Sequence, residues 1–187
     1  MLGIEPDGMT GSRERRPTLI VFGGLPGTGK TTLARAIAQE SQATYLRIDA
    51  IEQALRSSET LAGSVGPAGY LIAYALAEGN LCIGRDVVGD SVNPLAVTRE
   101  AWRTVAAATS SELIEIEVIC SDRAEHRRRV ETRSVDVAGL ALPTWRDVVE
   151  REYEAWDGPR IVIDTANRSV ADALGHLRSQ IGHSRGR

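Results

Sequence analysis

The sequence is short of lysine, cysteine and long apolar runs, and each shortage excludes a class of protein. Lys30 is the only lysine, because 21 of the 22 lysine and arginine residues are arginines. A guanine-specific switch protein of the N-K-x-D type is therefore excluded, since the one lysine stands in a different motif. No apolar run approaches the roughly 18 residues that cross a membrane. Cys82 and Cys120 lie 38 residues apart without a C-x-x-C or a paired histidine, which disfavours a disulfide framework or a zinc site and favours reduced core thiols.

Length and charge indicate one globular domain. The 187 residues are enough to bury a core without disulfides, and 42% hydrophobic with 25% charged residues is a globular composition. The net charge of −3 disfavours nucleic acid as a partner, because proteins that bind it are usually basic. Residues 1–16 are polar, lack the apolar segment of a secretory signal and are predicted to form a disordered tail. We expect a cytoplasmic protein with no membrane contact, a domain over 17–182 and a short tail over 183–187, and the oligomeric state stays open.

Short apolar runs alternate with helical patterns along the whole domain. The first run, TLIVF, is continuous, as expected of a strand that is buried on both faces. This alternation predicts an α/β fold of three layers, with a five-stranded parallel sheet between helices. The predicted strands cover residues 18–22, 44–48, 86–89, 113–120 and 160–164, and the predicted helices cover 30–41, 50–56, 70–83, 94–108, 123–133, 144–156 and 170–181.

Polar residues follow several of the predicted strands. Ligands of parallel sheets bind beyond the carboxyl ends of the strands. We therefore expect Asp49, Asp90 and Asp164 to converge on one site with the loop 23–31. Asn93 is the candidate cap of the helix that begins at Pro94.

Residues Gly24 to Thr31 match the phosphate-binding pattern G-x-x-x-x-G-K-[ST] in full. An apolar strand precedes the motif and a helix follows it, which is the context that such a phosphate-binding loop (P-loop) requires. Its glycines let backbone N–H groups turn towards phosphates, and the amino terminus of the helix adds positive charge. The Thr31 hydroxyl would ligate Mg²⁺, and Thr32 would lie near the α-phosphate. The predicted nucleotide-binding residues of the loop are Gly24, Gly27, Thr28, Gly29, Lys30, Thr31 and Thr32.

The place of the single lysine in this motif explains why it is a lysine. A slim, flexible ammonium group reaches between the β- and γ-phosphates, whereas a planar guanidinium does not fit the same loop. The alternative is a chance glycine turn before a structural helix, and the matching strand, motif and helix disfavour it. A dinucleotide-binding fingerprint fails, because Thr32 stands where its third glycine belongs.

The residues beyond the motif favour phosphoryl transfer over hydrolysis. Motor ATPases place a glutamate after the aspartate that ends a strand, but here Ser91 follows Asp90. Transfer to a bound acceptor needs a group that orients the nucleophile, and Asp49 is the candidate for orienting or deprotonating a hydroxyl. Arg47 and Asp49 alternate on the predicted second strand and would point to the same side. The alternative is that Asp49 caps the following helix, and Arg56 on that helix either binds the acceptor or is solvated.

Asp90 and a basic helix supply the remaining candidate residues. Asp90 ends a predicted strand and is the second candidate Mg²⁺ ligand, with a turn aspartate as the alternative. Arg129 and Arg133 are four residues apart and can face one way from a closing lid (about residues 123–143), where they would neutralise phosphoryl charge. The alternative is a solvated basic face, and His126 in the same run is expected at the surface.

These segments together resemble a known family. The order GLPGTGKTT, RIDAIEQALR, DVVGDSVNP, an arginine-rich lid helix and RIVIDTANRS is similar to that of the small P-loop kinases, over roughly residues 17–182. The family includes gluconate and shikimate kinases, chloramphenicol phosphotransferase, zeta-toxin-like kinases and the kinase part of polynucleotide kinase. Its sequences are often described as AAA-type ATP-binding proteins. The resemblance implies a P-loop NTPase fold with a helical lid, and ATP and Mg²⁺ as cofactors.

The resemblance also implies roles for individual residues. In the family, the aspartate at the end of the second strand acts on the acceptor hydroxyl, which corresponds to Asp49. The lid arginines correspond to Arg129 and Arg133, with Arg127 as a rival. Arg168, in the loop after the last strand, would stack on adenine.

We therefore expect a kinase that transfers the γ-phosphate of ATP to a hydroxyl of a small polar metabolite or antibiotic. Two alternatives stay open: a kinase of polynucleotide 5′-hydroxyl ends, and an ATPase or nucleotide-dependent binding module without a phosphorylated acceptor. The loop 57–69, where an acceptor would be covered, contains no cation and no aromatic residue, which disfavours a polynucleotide groove. The expected acceptor is a compact polyhydroxylated or amino-alcohol compound.

Overall fold

The computed structural model describes residues 15–58 and 64–185, with side chains described as far as His183. Residues 1–14 of the predicted tail and residues 59–63 of the predicted acceptor loop lie outside the described residues. Within the described part of the chain, no helix has both the length and the apolar character that crossing a membrane requires.

Five parallel strands form a single sheet in the order β2-β3-β1-β4-β5. The central strand, β1, is buried along its whole length, as its continuous apolar sequence predicts. The expected five-stranded parallel sheet is confirmed. The strands are β1 (Thr18–Gly23), β2 (Thr44–Arg47), β3 (Val87–Asp90), β4 (Glu112–Ile119) and β5 (Ile161–Asp164).

Helices cover both faces of the sheet and give the three layers that the sequence predicts. Alternate residues of β1 face opposite sides: Ile20 and Phe22 pack with α1 and α7, whereas Leu19 and Val21 pack with α3 and α4. Each face therefore has its own apolar cluster. The helices are α1 (Lys30–Ser41), α2 (Ile48–Arg56), α3 (Ala68–Cys82), α4 (Ala96–Ala108), α5 (Arg123–Thr132), α6 (Trp145–Val149) and α7 (Val170–Arg185).

The register of the three strands β2, β3 and β1 aligns their carboxyl ends. Asp90 pairs with Phe22 of β1 on one side and with Arg47 of β2 on the other. The chain leaves β1 into the loop before α1 and leaves β2 directly into α2. The phosphate-binding motif, Arg47 and Asp90 are therefore neighbours at one edge of the sheet, as expected.

The second strand is shorter than the sequence predicts. It ends at Arg47, and Asp49 lies in the first turn of α2 rather than on the strand. The predicted strand alternation of Arg47 and Asp49 is therefore wrong. The expected alternative is also wrong, because the N-cap of α2 is Arg47 and no side chain forms a capping hydrogen bond.

Asn93 does not cap a helix. The following helix begins at Ala96 with Leu95 as its N-cap. Asn93 is instead fully buried, donates from Nδ2 to the carbonyl of Phe22 (3.0 Å) and accepts from the indole of Trp102 (3.1 Å). Its side chain ties the end of β1 to α4, and this use in the core competes with capping.

The predicted helix over 144–156 is mostly wrong, because α6 ends at Val149. The chain beyond it is held in another conformation by the buried guanidinium of Arg99. This group donates to the carbonyls of Glu154 (3.3 Å) and Ala155 (2.9 Å) and lies 5.1 Å from the ring centre of Trp156. Tertiary hydrogen bonds of this kind override a local helical pattern.

Candidate functional site

The loop between β1 and α1 has the backbone that the phosphate-binding motif requires. Gly24, Gly27 and Gly29 have φ angles of 139°, 85° and 92°, in a region that residues with side chains rarely adopt. A Cβ atom at Gly24 would collide with the carbonyl of Val118, and one at Gly27 would collide with Val130 of α5. Glycine is needed here both for the backbone conformation and for the close packing of α5 on the loop.

Lys30 is the first residue of α1 and is only 6% exposed. It lines a cavity of about 720 Å³, which also contains Thr31 and Thr32. Its ammonium group forms no hydrogen bond or ion pair with another described residue. A buried charge without a partner is costly, so this arrangement favours an anionic ligand in the cavity.

Asp90 is a buried carboxylate that lies 4.0 Å from Nε of Arg47 through its Oδ2. It is 1% exposed, and its Oδ2 accepts a hydrogen bond of 2.7 Å from the phenol of Tyr45. Burial and the nearby Asp90 carboxylate raise the pKa of Tyr45, which therefore stays a neutral donor. The other oxygen of Asp90, Oδ1, has no hydrogen-bond partner among the described residues although it is buried.

The residues predicted to hold Mg²⁺ fit that ion in their chemistry. Mg²⁺ keeps several waters and is usually held by one or two carboxylates together with phosphate oxygens. Asp90 offers an unpaired carboxylate oxygen, and Thr31 lines the cavity beside Lys30. The described residues contain no group of three or more histidine, cysteine, aspartate or glutamate side chains that could hold a metal without such a ligand.

Asp49 lies in the same cavity as Lys30, although it stands on a helix and not on a strand. Its Oδ2 is 3.7 Å from Nη2 of Arg47, and 37% of its side chain is exposed. The carboxylate is therefore oriented by one neighbouring cation and remains open to the cavity. Its place in the first turn of α2 also suits a negative charge, because helix amino termini carry partial positive charge.

Arg133, at the carboxyl-terminal end of α5, is the predicted lid arginine that faces this cavity. Its Nε is buried without a hydrogen-bond partner among the described residues. Burial lowers the pKa of Arg133, while the charges of Asp49 and Asp136 raise it and that of Arg47 lowers it further. Arg133 is thus a partly desolvated cation in the same cavity as the candidate base.

Arg129 and Arg127 are placed differently from Arg133. Arg129 donates to the hydroxyl and the carbonyl of Thr165 and to Glu125, so its guanidinium is occupied by the protein although it borders the cavity. Arg127 is exposed and pairs with Glu131 one turn along the same helix. Of the three candidate lid arginines, Arg129 and Arg133 line the cavity that contains Asp49, and Arg127 does not.

A second cavity of about 280 Å³ lies on the other side of the phosphate loop. Gly27, Gly29 and Thr32 line it together with Thr165 and Arg168 from the segment after β5. The family resemblance leads us to expect adenine beside this segment, and Arg168 lines the cavity there. Asp164, which was expected at the main site, instead accepts hydrogen bonds from Ser121 and from the backbone of Ala166 and shapes this segment.

His126 is buried and not at the surface, so that expectation is wrong. It is 7% exposed, and its Nε2 donates to the carbonyl of Pro26 in the phosphate loop (2.8 Å). Its ring meets Trp145 edge to face, with 5.2 Å between ring centres. The residue fastens α5 to the loop, which a basic helical sequence does not indicate.

Asp136 and Arg35 are residues of the site that the sequence reasoning missed. Asp136 lies on the segment between α5 and α6 and accepts hydrogen bonds from Arg47 at 2.6 and 3.0 Å and from Arg35 at 3.1 Å. All three side chains line the larger cavity. Because they come from distant parts of the chain and match no motif, no local signal in the sequence joins them.

Comparisons with known proteins agree with this fold. A family model described as the AAA domain matches residues 19–151, which is more than half of the chain. A search of curated proteins finds no match.

Three solved structures illustrate the likeness in fold. An APS kinase of Mycobacterium tuberculosis in complex with AMPPNP and APS has 18% identity and a TM-score of 0.64 over 90% of this chain and 99% of its own. A gluconokinase from Sinorhizobium meliloti has 19% identity and a TM-score of 0.58 over 91% and 98%. Chaetomium thermophilum Kti12 in complex with ADP-AlF3 has 21% identity and a TM-score of 0.63 over 88% and 97%. At such identities the likeness establishes the fold alone.

Proposed function

We propose that this chain, which belongs to the AAA domain family, is a kinase. It transfers the γ-phosphate of ATP to a hydroxyl group of a small polar molecule. The observation that carries the proposal is the content of one cavity. Lys30 and Thr31 of the phosphate loop, Asp49 and Arg133 all line it. Its volume of about 720 Å³ leaves room for an acceptor beyond the terminal phosphate.

The nucleotide would lie across the two cavities. The phosphates would occupy the loop from Gly24 to Thr32, where Lys30 is largely buried and its ammonium has no partner among the described residues. The adenine would occupy the smaller cavity beside Arg168. Two structural neighbours with this fold were solved with AMPPNP or ADP-AlF3, which supports a nucleotide at this end of the sheet without identifying its base here.

The chain's own residues supply the elements that phosphoryl transfer needs. Asp49 would accept the proton of the acceptor hydroxyl as the new oxygen–phosphorus bond forms and the bond between the γ-phosphorus and the β–γ bridging oxygen breaks, releasing ADP. Arg133 would neutralise charge on the transferred group, because it is partly desolvated and lines the same cavity as Asp49. Thr31 and Asp90 would hold Mg²⁺ with the phosphate oxygens, and the ion would offset phosphate charge.

Two structural neighbours support a small-molecule acceptor over a macromolecule. One is an APS kinase solved with APS, and one is a gluconokinase. Because the likeness is one of fold, it sets a class of candidates to be tested and not a substrate. We keep the acceptor as a metabolite or antibiotic with a free hydroxyl.

The test is a transfer assay with ATP labelled on the γ-phosphate. The purified chain is incubated with Mg²⁺ and a panel of metabolites and hydroxyl-bearing antibiotics, beside 5′-hydroxyl DNA and RNA oligonucleotides. We expect label on at least one small molecule and none on the oligonucleotides, with the transfer lost in Asp49→Asn. Label on the oligonucleotides alone would replace the proposal with a polynucleotide kinase. Release of free phosphate alone, unaffected by every acceptor, would replace it with an ATPase.

A further inference from the structure

One carboxylate of the chain occupies a fork of arginine donors inside the larger cavity. Nη1 and Nη2 of Arg47 bind the two oxygens of Asp136 at 2.6 and 3.0 Å, and Nη2 of Arg35 binds the same carboxylate at 3.1 Å. Two parallel bonds from one guanidinium to a carboxylate are the strong, geometrically specific form of this contact. The three residues come from α1, from the end of β2 and from the segment between α5 and α6.

The two partners are buried to different extents. The side chain of Arg47 is 10% exposed, whereas that of Asp136 is 40% exposed. The arginine therefore belongs to the floor of the cavity, and the carboxylate approaches it from the open side. Asp136 can move into solvent more readily than Arg47, because the more buried arginine needs an anion near it to compensate its removal from water.

The excess of basic side chains in the larger cavity also favours an anionic ligand. Among the described residues, seven basic side chains line it against three acidic ones, Asp49, Glu52 and Asp136. Glu52 is paired with Arg56 on its own helix. If Asp136 withdraws, Asp49 at 3.7 Å and Asp90 at 4.0 Å stay near Arg47 but do not form the two-bond fork with it. An acceptor with its own oxyanion would replace Asp136 on Arg47 and Arg35, whereas a neutral polyol would not.

We propose that Arg47 and Arg35 form a subsite for an oxyanion of the phosphoryl acceptor, and that Asp136 occupies this subsite until the acceptor binds. The ligand group is a carboxylate, sulfate or phosphate carried on the same molecule as the hydroxyl that Asp49 addresses. This inference rests on the proposed kinase function. It narrows the expected polyhydroxylated or amino-alcohol acceptor to an anionic one.

The exchange lowers the apparent affinity of the acceptor, because the ligand must displace an internal competitor. Asp136→Ala removes that competitor and leaves Arg47 and Arg35 in place. An oxyanion should then bind at least about tenfold more tightly than to the unmodified chain. Arg47→Lys keeps a positive charge but loses the fork, so it should weaken oxyanion binding while the fold is retained.

Binding is measured first, without any catalysis. The chain is saturated with Mg²⁺ and AMPPNP so that the phosphate loop is filled, and its thermal midpoint is followed against sodium sulfate and against sodium chloride of equal ionic strength. We expect a rise specific to sulfate, shifted to lower concentration in Asp136→Ala and lost in Arg47→Lys. Arg178→Gln is the matched control, because Arg178 also holds a carboxylate, Glu40, by two bonds but lies outside both cavities.

The second readout is transfer from ATP to paired acceptors that differ in one anion, such as gluconate with glucose and glycerate with glycerol. We expect activity on anionic members, a lower acceptor KM in Asp136→Ala and loss of the preference in Arg47→Lys. The subsite would be overturned if the thermal midpoint depended on sulfate concentration in the same way in all the variants. A preference for neutral acceptors that Arg47→Lys leaves unchanged would also overturn it. Sulfate binding that follows the expected order without phosphoryl transfer to any acceptor would overturn the kinase function and leave the oxyanion site in place.

Discussion

Arg129 donates hydrogen bonds to both oxygens of Thr165, to the hydroxyl at 2.8 Å and to the backbone carbonyl at 2.9 Å. The Thr165 hydroxyl in turn donates to the carbonyl of Thr28 in the phosphate loop at 2.8 Å. Helix α5, the segment after β5 and the phosphate loop are thereby joined at one point. Arg129 borders both cavities from this point. We therefore propose that Arg129 holds the nucleotide site in shape, and that Arg133 neutralises the negative charge of the transferred phosphoryl group.

Arg129→Ala should therefore weaken nucleotide binding and the fold together. Removing the guanidinium leaves the carbonyl of Thr165 without one donor and frees the segment that carries Arg168. We expect a loss of about 2 kcal/mol in the free energy of unfolding, the scale of hydrogen bonds to a charged group. The KM for ATP should rise more than kcat falls. Chemical unfolding and steady-state kinetics measure both, and an unchanged KM with a large fall in kcat would return Arg129 to the transferring phosphate.

Arg133→Ala should lower kcat and leave stability and ATP affinity nearly unchanged, in contrast to Arg129→Ala. The Nε of Arg133 has no hydrogen-bond partner among the described residues, so loss of the side chain should cost little in stability. Its charge is needed most when negative charge develops on the transferred group, and kcat should fall by about 10²-fold with ATP affinity nearly unchanged. Arg127→Ala is the control, because Arg127 pairs with Glu131 on the exposed side of the same helix. Equal kinetics in both variants would make α5 a solvated basic face.

Lys30→Ala should abolish phosphoryl transfer without unfolding the protein. Lys30 is 6% exposed and its ammonium is unpaired among the described residues, so replacing it removes a largely buried cation as well as a ligand contact. The midpoint of thermal unfolding without nucleotide should stay the same or rise, while kcat/KM falls by about 10³-fold. Lys30→Arg should restore little activity, because a planar guanidinium cannot follow the loop. Full activity of the arginine variant would refute this explanation of the single lysine.

Asp49→Asn tests the candidate base. Asparagine has nearly the same shape but cannot take a proton, so turnover should fall by about 10²-fold or more. The affinity for ATP, measured by equilibrium binding, should stay within a few-fold, because the role proposed for Asp49 is on the acceptor hydroxyl and not on the nucleotide. A fall in nucleotide affinity with normal turnover at saturation would instead make Asp49 a structural or metal-binding residue.

The fold and the phosphate loop could be predicted from the sequence because their signals are local. A continuous apolar strand, a glycine motif and a helix follow one another between Thr18 and Ser41, and each is decided by its own residues. The boundary between β2 and α2, near Asp49, was harder to predict, because an alternating strand pattern runs on into α2 without a cap residue or a break.

The contacts that complete the site depend on residues far apart in the sequence. The fork from Arg47 to Asp136 joins positions 89 residues apart, and the contact of His126 with Pro26 joins positions 100 residues apart. Asn93 looks like a helix cap because it precedes a proline, but its side chain is used between Phe22 and Trp102. Such pairings follow from tertiary packing, which no local motif encodes.

The four tyrosines of the chain give a prediction that needs no substrate. Burial raises the pKa of each of them, and that of Tyr153 rises to about 12. Tyrosines in an unfolded chain titrate near pH 10. The pKa values in the folded protein lie above pH 10. The contribution of the tyrosines to the free energy of unfolding is therefore complete below about pH 10 and is lost as the pH rises towards the folded pKa values.

Tyrosinate absorbance should therefore be absent from the native protein at pH values where the denatured protein already shows it. Each tyrosine that stays protonated should lower the free energy of unfolding by up to about 1.4 kcal/mol per pH unit above pH 10. Alkaline titration with and without denaturant, together with unfolding curves from neutral pH upward, measures both quantities. Tyr74→Phe should make the loss less steep, because it removes one titrating group whose pKa is raised by burial and by Tyr70. Gradual ionisation of native tyrosines near pH 10 would show that these side chains are not held in the protein as their burial and their contacts, such as that of Tyr45 with Asp90, require.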